Sequence, residues 1–264
     1  MSINLRLLVI STALVVAAPL SAQKSAPITD SIPGLGLRWE MVRVPAGEVT
    51  VPGVNGPVRV AVEPFLIGVT EVPWELYDAF YLRLDVPRAE RPRVDAASRP
   101  SRPYGAPDYG FGHRGWPAMS LTHNAAVRFA EWLSVRTGSR YAVATDAQWQ
   151  RAADLAVATL DRAAIGDRAW SARNAEGATH KVGTLAPDRL GLFDLLGNVG
   201  EWVTGLDGAP ALRGGTFLQP LDSLTATTRA RQTPSWNQTD PQSPKSRWWL
   251  SDAPFAGFRL VRIP

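Results

Sequence analysis

Apolar and polar positions alternate from Arg38 to Gly47, with Trp39, Met41, Val42 and Val44 set among charged neighbours, and this predicts a strand entering a turn. Residues 58–69 continue in the same manner and predict more strand. The period then changes. Leu76, Phe80 and Leu84 repeat at i, i+4 and i+8, which predicts a helix with Pro73 at its first position and a stop at Pro87. Tyr77 and Tyr81 flank that stripe and are expected in the core. A second helix is predicted over residues 123–136, where Ala126, Phe129, Ala130 and Leu133 form the buried stripe, Thr122 is the cap and Gly138 the close. Arg128, Glu131 and Arg136 form its outer face. Thr145 and Gln148 have capping-box spacing, so a third helix is expected over residues 146–155. Residues 86–119, rich in proline, glycine and arginine, read as an ordered loop held by Tyr104, Tyr109, Phe111 and Trp116. Short strands are expected around residues 181–185, 201–203, 211–216 and 258–262. No internal repeat or linker divides residues 36–264.

The chain begins with a basic start ending at Arg6, an apolar run over residues 7–20 and a small-residue exit at Ser21-Ala22. This predicts a cleaved secretory signal peptide over residues 1–22, a linker over 23–35 and a periplasmic or secreted protein. Without a following cysteine there is no lipid attachment point, so no stable membrane anchor is expected after cleavage. The 264 residues contain no cysteine at all, which removes thiol nucleophiles, thiolate metal sites and redox pairs together. The net charge of +4 and pI near 9.7 raise the question of a nucleic-acid partner. Basic residues are interleaved with acids, however, and the densest group, Arg88, Arg91, Arg93, Arg99 and Arg102, lies with Glu90 and Asp95 in a segment read as a solvated loop. No nucleic acid is expected.

The segment Gly191-Leu-Phe-Asp-Leu-Leu-Gly-Asn-Val-Gly-Glu-Trp202 is the densest in chemistry. Asp194, a bend at Gly197-Asn198 and Glu201 could converge on one hard cation, with freed carbonyls completing its shell. The alternative is that Asp194 and Glu201 bond loop amides or pair with Arg213. His113, His123 and His180 show no metal-ligand spacing, no nucleophile elbow exists, and no catalytic residues are assigned. Asn237-Gln-Thr239 matches a glycosylation sequon.

Several blocks then line up in order: Glu71-Val72, Ala130-Glu-Trp-Leu133, Thr145-Asp-Ala-Gln-Trp149 with Ala152-Ala153, residues 191–202, Leu212-Arg-Gly-Gly-Thr-Phe217 and Gly257-Phe-Arg-Leu-Val-Arg262. Together they resemble the formylglycine-generating enzyme, or sulfatase-modifying factor, family across nearly the whole mature chain. The resemblance implies a single α+β domain of the C-type-lectin-like kind, with little regular secondary structure and a core rich in tryptophan and glycine. Catalytic members use a cysteine pair that binds copper and activates oxygen; neither cysteine can exist here, and no copper is expected. The resemblance also implies one structural calcium held by the side chains of Asp194 and Glu201 and the carbonyls of Gly197 and Val199. Gly200 stands where relatives usually carry a tryptophan near the active cleft. Its presence either widens the pocket or is compensated by a neighbour such as Trp248.

The segment spanning residues 229–249 follows the place where catalytic relatives bind their cysteine peptide. Trp236, Trp248 and Trp249, with Arg229, Arg231 and Asn237, offer stacking faces and donors for a peptide, a glycan or a partner protein, unless the tryptophans are core and the arginines pair with loop acids. The chain therefore reads as an exported non-catalytic binding domain. The alternative is an oxidoreductase or other enzyme of thiol-independent chemistry in the same cleft.

Overall fold

The computed structural model describes residues 26–93 and 97–264. The leader expected over residues 1–22, and Asp95 of the basic loop, lie outside the described residues. The fold is mixed α and β. Its largest sheet has five antiparallel strands in the order β1 (Ile28–Ser31), β2 (Arg38–Val44), β5 (Phe65–Gly68), β11 (Leu260–Ile263) and β6 (Arg140–Val143). A hairpin of β3 (Gly47–Gly53) and β4 (Gly56–Val62) stands beside it. A second sheet runs β10 (Ala256–Gly257), β7 (Gly200–Thr204), β8 (Pro210–Arg213) and β9 (Arg229–Ala230), with only β10 and β7 parallel.

The five-stranded sheet is buried on both faces. Because successive side chains in a strand point to opposite faces, Met41, Leu66 and Leu260 enter one core while Val42, Ile67 and Val261 enter another. The first core is completed by α1 (Trp74–Tyr81) and α2 (His123–Thr137), through Trp74, Tyr77, Phe80, Phe129 and Trp132. The second is completed by α3 (Asp146–Ala156), which inserts Trp149, Ala152, Ala153 and Ala156. Double-sided burial explains why the alternation in β2 is imperfect.

Cap chemistry fixes the helices where expected. Thr122 Oγ1 accepts from the Ala125 amide, Gly138 closes α2 at φ 71°, and Thr145 and Gln148 form a reciprocal capping box. Other boundaries differ. The predicted strand over residues 58–69 is two strands broken at Glu63-Pro64, and the strand expected over 38–47 ends at Val44, with β3 starting at Gly47 after a break at Pro45-Ala46. Helix α1 ends at Tyr81, since Arg83 turns left-handed at φ 56°, and Leu84 is left 38% exposed instead of extending the stripe. β1 forms inside the segment expected as linker, and residues 181–185 make turns and no strand. A short α4 (Arg162–Gly166), capped by Asp161, was not foreseen.

The loop over residues 97–119 is ordered as expected, with Trp116 Nε1 donating to the Thr179 carbonyl at 3.0 Å and Phe111 edge-on to Phe217 at 5.8 Å. Arg99 corrects the solvated reading of its basic group. It is buried, chelates Asp85 through Nη1 and Nη2 at 3.1 and 2.8 Å, and lies against Phe80 and Trp132. Among the described residues no helix is long and apolar enough to cross a membrane.

Candidate functional site

Two features meet at the start of β7: a cluster of buried carboxylates beneath it and a pocket beside Gly200. The loop leading in is folded tightly. Gly197 has φ 82°, and a Cβ there would come 2.1 Å from the Trp170 carbonyl oxygen, so only glycine fits. Asn198 follows at φ 46° and donates through Nδ2 to Glu71 Oε2 at 2.9 Å, while the Val199 amide donates to Glu71 Oε1 at 3.1 Å.

Glu201, the second acid of the motif, is fully buried and pairs with Arg259, not with Arg213. Arg259 approaches Glu201 Oε1 through Nε at 2.9 Å and Nη2 at 2.7 Å, and its guanidinium also donates to the carbonyls of Gly68 and Phe193 at 3.0 and 2.7 Å. Trp149 Nε1 donates to the other oxygen, Oε2, at 2.8 Å. Asp194 accepts from the Gly183 amide through Oδ2 at 2.7 Å, whereas its Oδ1 is buried without a partner. Among the described residues nothing donates to the carbonyls of Gly197 or Val199. Three of the four expected calcium ligands thus present unused lone pairs, and oxygen-only donors of this kind suit calcium. Burial, reinforced by the charges of Asp194 and Glu201, holds Glu71 well above the usual carboxylate range, and burial pushes Asp194 up to about 6 despite the Gly183 amide and Arg259. Among these acids Arg259 directly contacts Glu201, whose two oxygens are both engaged, by Arg259 and by Trp149, so that Asp194 Oδ1 and the two carbonyls are the oxygens left free.

Asp188 is a further buried acid that the sequence did not single out. Its Oδ1 accepts the amides of Leu190 and Leu192, its Oδ2 has no partner, and burial raises it to about 6 against those amides and Arg259. A carboxyl raised in the folded state contributes stability that is complete below its unfolded value near 4 and lost as pH rises through about 6. Asp188→Asn is therefore expected to be more stable relative to the parent at pH 7.5 than at pH 4, by on the order of 1–3 kcal/mol. Urea denaturation of both proteins at the two pH values checks this; a difference independent of pH would refute it.

The pocket beside Gly200 has a volume of 270 Å³ and is walled by Leu212, Leu218, Trp236 and Phe255, with Arg229 at its edge. Trp236 stands edge-on to Phe255 at 5.1 Å and tilted against Trp202 at 6.0 Å, which fixes its ring. A Cβ on Gly200 would already touch Leu212 at 3.2 Å and Thr216 at 3.4 Å, so a bulky residue there would have to displace this wall. Absence of a side chain leaves the pocket open. Trp248 does not compensate for it: it is 2% exposed and packs against Phe80 on α1.

Of the residues expected in a recognition surface, the structure brings Arg229 and Trp236 together at this pocket. Arg231 is exposed nearby and pairs with Asp207 at 3.1 Å. Asn237 is buried, with Nδ2 donating to Asp240 and Oδ1 accepting the Ser251 amide, so its sequon amide is committed to holding the loop. The histidines have separate surroundings: His113 bridges Asp78 and Asp108, His123 meets Thr204, and His180 stacks on Trp170. Among the described residues no group of three or more His, Cys, Asp or Glu side chains is arranged to hold a metal. A larger groove of 550 Å³ lies between Pro103–Tyr109 loop residues and the segment after Thr239, but its acid, Asp240, is taken up by the amides of Gln242 and Ser246.

A family model described as the sulfatase-modifying factor enzyme 1-like domain matches residues 37–263. The chain belongs to this family. As a sulfatase-modifying factor-like domain with no cysteine, it is a member lacking the catalytic cysteines. Its fold is similar to that of Treponema denticola variable protein 1, with TM-score 0.64 and 19% identity over 91% of this chain and 100% of that one. It is likewise similar to PvdO from Pseudomonas aeruginosa, with TM-score 0.61 and 22% identity over 91% and 100% of the two chains. CarF follows with TM-score 0.54 and 20% identity over 86% and 98%. No curated protein matches the sequence significantly.

Proposed function

We propose that this sulfatase-modifying factor-like domain is an exported, non-catalytic binding module that takes part of a peptide, a glycan or a partner protein into the pocket beside Gly200. The observation that carries this reading is that pocket itself, a 270 Å³ concavity with a fixed tryptophan face and one cation at its edge. At 270 Å³ the pocket lies just below the roughly 300–1,000 Å³ of sites that enclose a whole small molecule, a size for one residue or sugar of a larger ligand, and its apolar and aromatic lining suits recognition. The chain has no thiol to attack a substrate and none to hold Cu(I), so the same cleft is read as binding without the parent oxidation. Immobilised protein is to be screened against peptide and glycan arrays and the captured ligands titrated by calorimetry. Trp236→Ala is expected to weaken them at least tenfold. Captured ligands indifferent to Trp236→Ala would refute the pocket, and oxygen consumption with cysteine peptides by metal-reconstituted protein would favour the enzymatic alternative.

The calcium reading belongs to the same proposal. Its ligands would be Asp194, the carbonyls of Gly197 and Val199, and Glu201 in exchange for one of its present contacts with Arg259 or Trp149, and the partnerless Asp194 Oδ1 is what supports it. Calcium would lock the loop that ends at Gly200. Added calcium is expected to raise the melting temperature and chelator to lower it, by about 2.7 kcal/mol of stability at a hundredfold excess over Kd. Asp194→Ala should abolish the response; a melting temperature indifferent to chelator would exclude the ion.

A further inference from the structure

Arg229 is the only charged residue among those lining the pocket beside Gly200. Its counter-charge is shared. Asp146, buried at the start of α3, receives the Arg213 guanidinium on Oδ1 and lies 2.9 Å from Arg229 Nη1 through Oδ2. The nearby Asp154 is tied to Gln150 Nε2 at 2.7 Å, and Asp207 serves Arg231. One carboxylate therefore serves two guanidiniums; Arg213, outside this pocket, has further acceptors in Gln150 Oε1 and the Ala226 carbonyl, whereas Arg229 Nε–H is buried with no acceptor and its approach to Asp146 Oδ2 is a charge contact without hydrogen-bond geometry. An anion is what this wall of the pocket lacks.

The remaining lining restricts what can carry that anion. Thr228 Oγ1 donates to the Ser223 carbonyl and Thr216 Oγ1 accepts the Leu218 amide at 3.3 Å, which leaves the Thr216 hydroxyl proton and the Gln219 carboxamide as the neutral polar groups of the lining. A sugar would bring several hydroxyls into a space with few free partners, at a cost of about 1–3 kcal/mol for each left unsatisfied. An apolar C-terminal residue brings only its carboxylate and one backbone N–H, and Leu212, Leu218, Trp236 and Phe255 are suited to its body.

We infer that the pocket holds the free carboxylate of an apolar or aromatic residue at a peptide C-terminus, with Arg229 as its counter-charge and Trp236 as its packing face. This rests on the binding reading and names the ligand within it. The test is a tryptophan-fluorescence titration with two matched pairs: an apolar pentapeptide ending in phenylalanine, with free or amidated C-terminus, and N-acetyl-phenylalanine with its amide. The free pentapeptide is expected to bind at least tenfold more tightly than its amide. Arg229→Gln should bring the acid's affinity down to that of the amide, and Arg229→Lys should keep part of the preference, which separates lost charge from lost folding. Equal affinity for acid and amide, a preference that survives Arg229→Gln, or no binding of either peptide overturns the inference. A preference seen only with N-acetyl-phenylalanine overturns the peptide source. Loss of amide and glycan binding alike, with Trp236→Ala without effect on any ligand, would mark failure of the pocket reading itself.

Discussion

Arg259→Leu is expected to lose about 3–5 kcal/mol of stability, because it removes the cation that pairs with buried Glu201 and offsets the charges of Glu71 and Asp194. Arg259 is 1% exposed and serves Glu201, the Gly68 carbonyl and the Phe193 carbonyl at once, linking β11's approach, the end of β5 and the loop before β7. Leucine would fill part of its volume but leave Glu201 with the Trp149 indole as its sole donor, and Glu71 and Asp194 with more unrelieved repulsion. Arg259→Lys should recover only part of the loss, since an ammonium lacks the fork that reaches three oxygens in different directions. Urea denaturation of the single variants, and of Arg259→Leu combined with Glu201→Gln, forms a double-mutant cycle. A coupling below about 0.5 kcal/mol would mean that the two side chains do not act as a pair.

That pair also shows where sequence reading stops. Glu201 was legible as an acid beside a glycine bend, but its partner lies 58 residues away and is chosen by the parallel contact of β10 with β7, a tertiary fact. Arg213, nearer in sequence, goes instead to Asp146. Local chemistry was readable wherever it is self-contained: the Thr145 and Gln148 capping box and the Gly138 close depend on neighbours within one turn. β1 and α4 were not readable. Ile28–Ser31 is a largely exposed edge strand with no apolar alternation, and five residues of α4 are too few to display a helical period. The segment over residues 229–249 failed in a different way. Trp236 and Trp248 have similar surroundings in sequence, yet one lines the pocket and the other is core, because an irregular loop has no period to say which side faces inward.

Gly200→Trp should abolish ligand binding, with a loss of affinity of at least a hundredfold, while the domain remains folded. The argument begins at the backbone. Gly200 lies in β7 with its amide donating to the Phe255 carbonyl at 2.7 Å, and tryptophan can adopt that strand conformation. A Cβ there falls 3.2–3.4 Å from Leu212 and Thr216, so the wall must give by a few tenths of an ångström, and overpacking of this kind costs about 1–3 kcal/mol. Beyond the Cβ the indole has one space to enter, the 270 Å³ pocket in front of Trp236 and Phe255. Filling it removes the volume a ligand needs while leaving Asp146 and the carboxylate cluster below the strand, neither of which lines the pocket, in place. Gly200→Ala, which adds only the Cβ, should retain binding within about fivefold, equivalent to roughly 1 kcal/mol. Circular dichroism and calorimetric titration of both variants decide the matter: if Gly200→Trp is folded and still binds as tightly as the parent, the ligand does not enter beside Gly200.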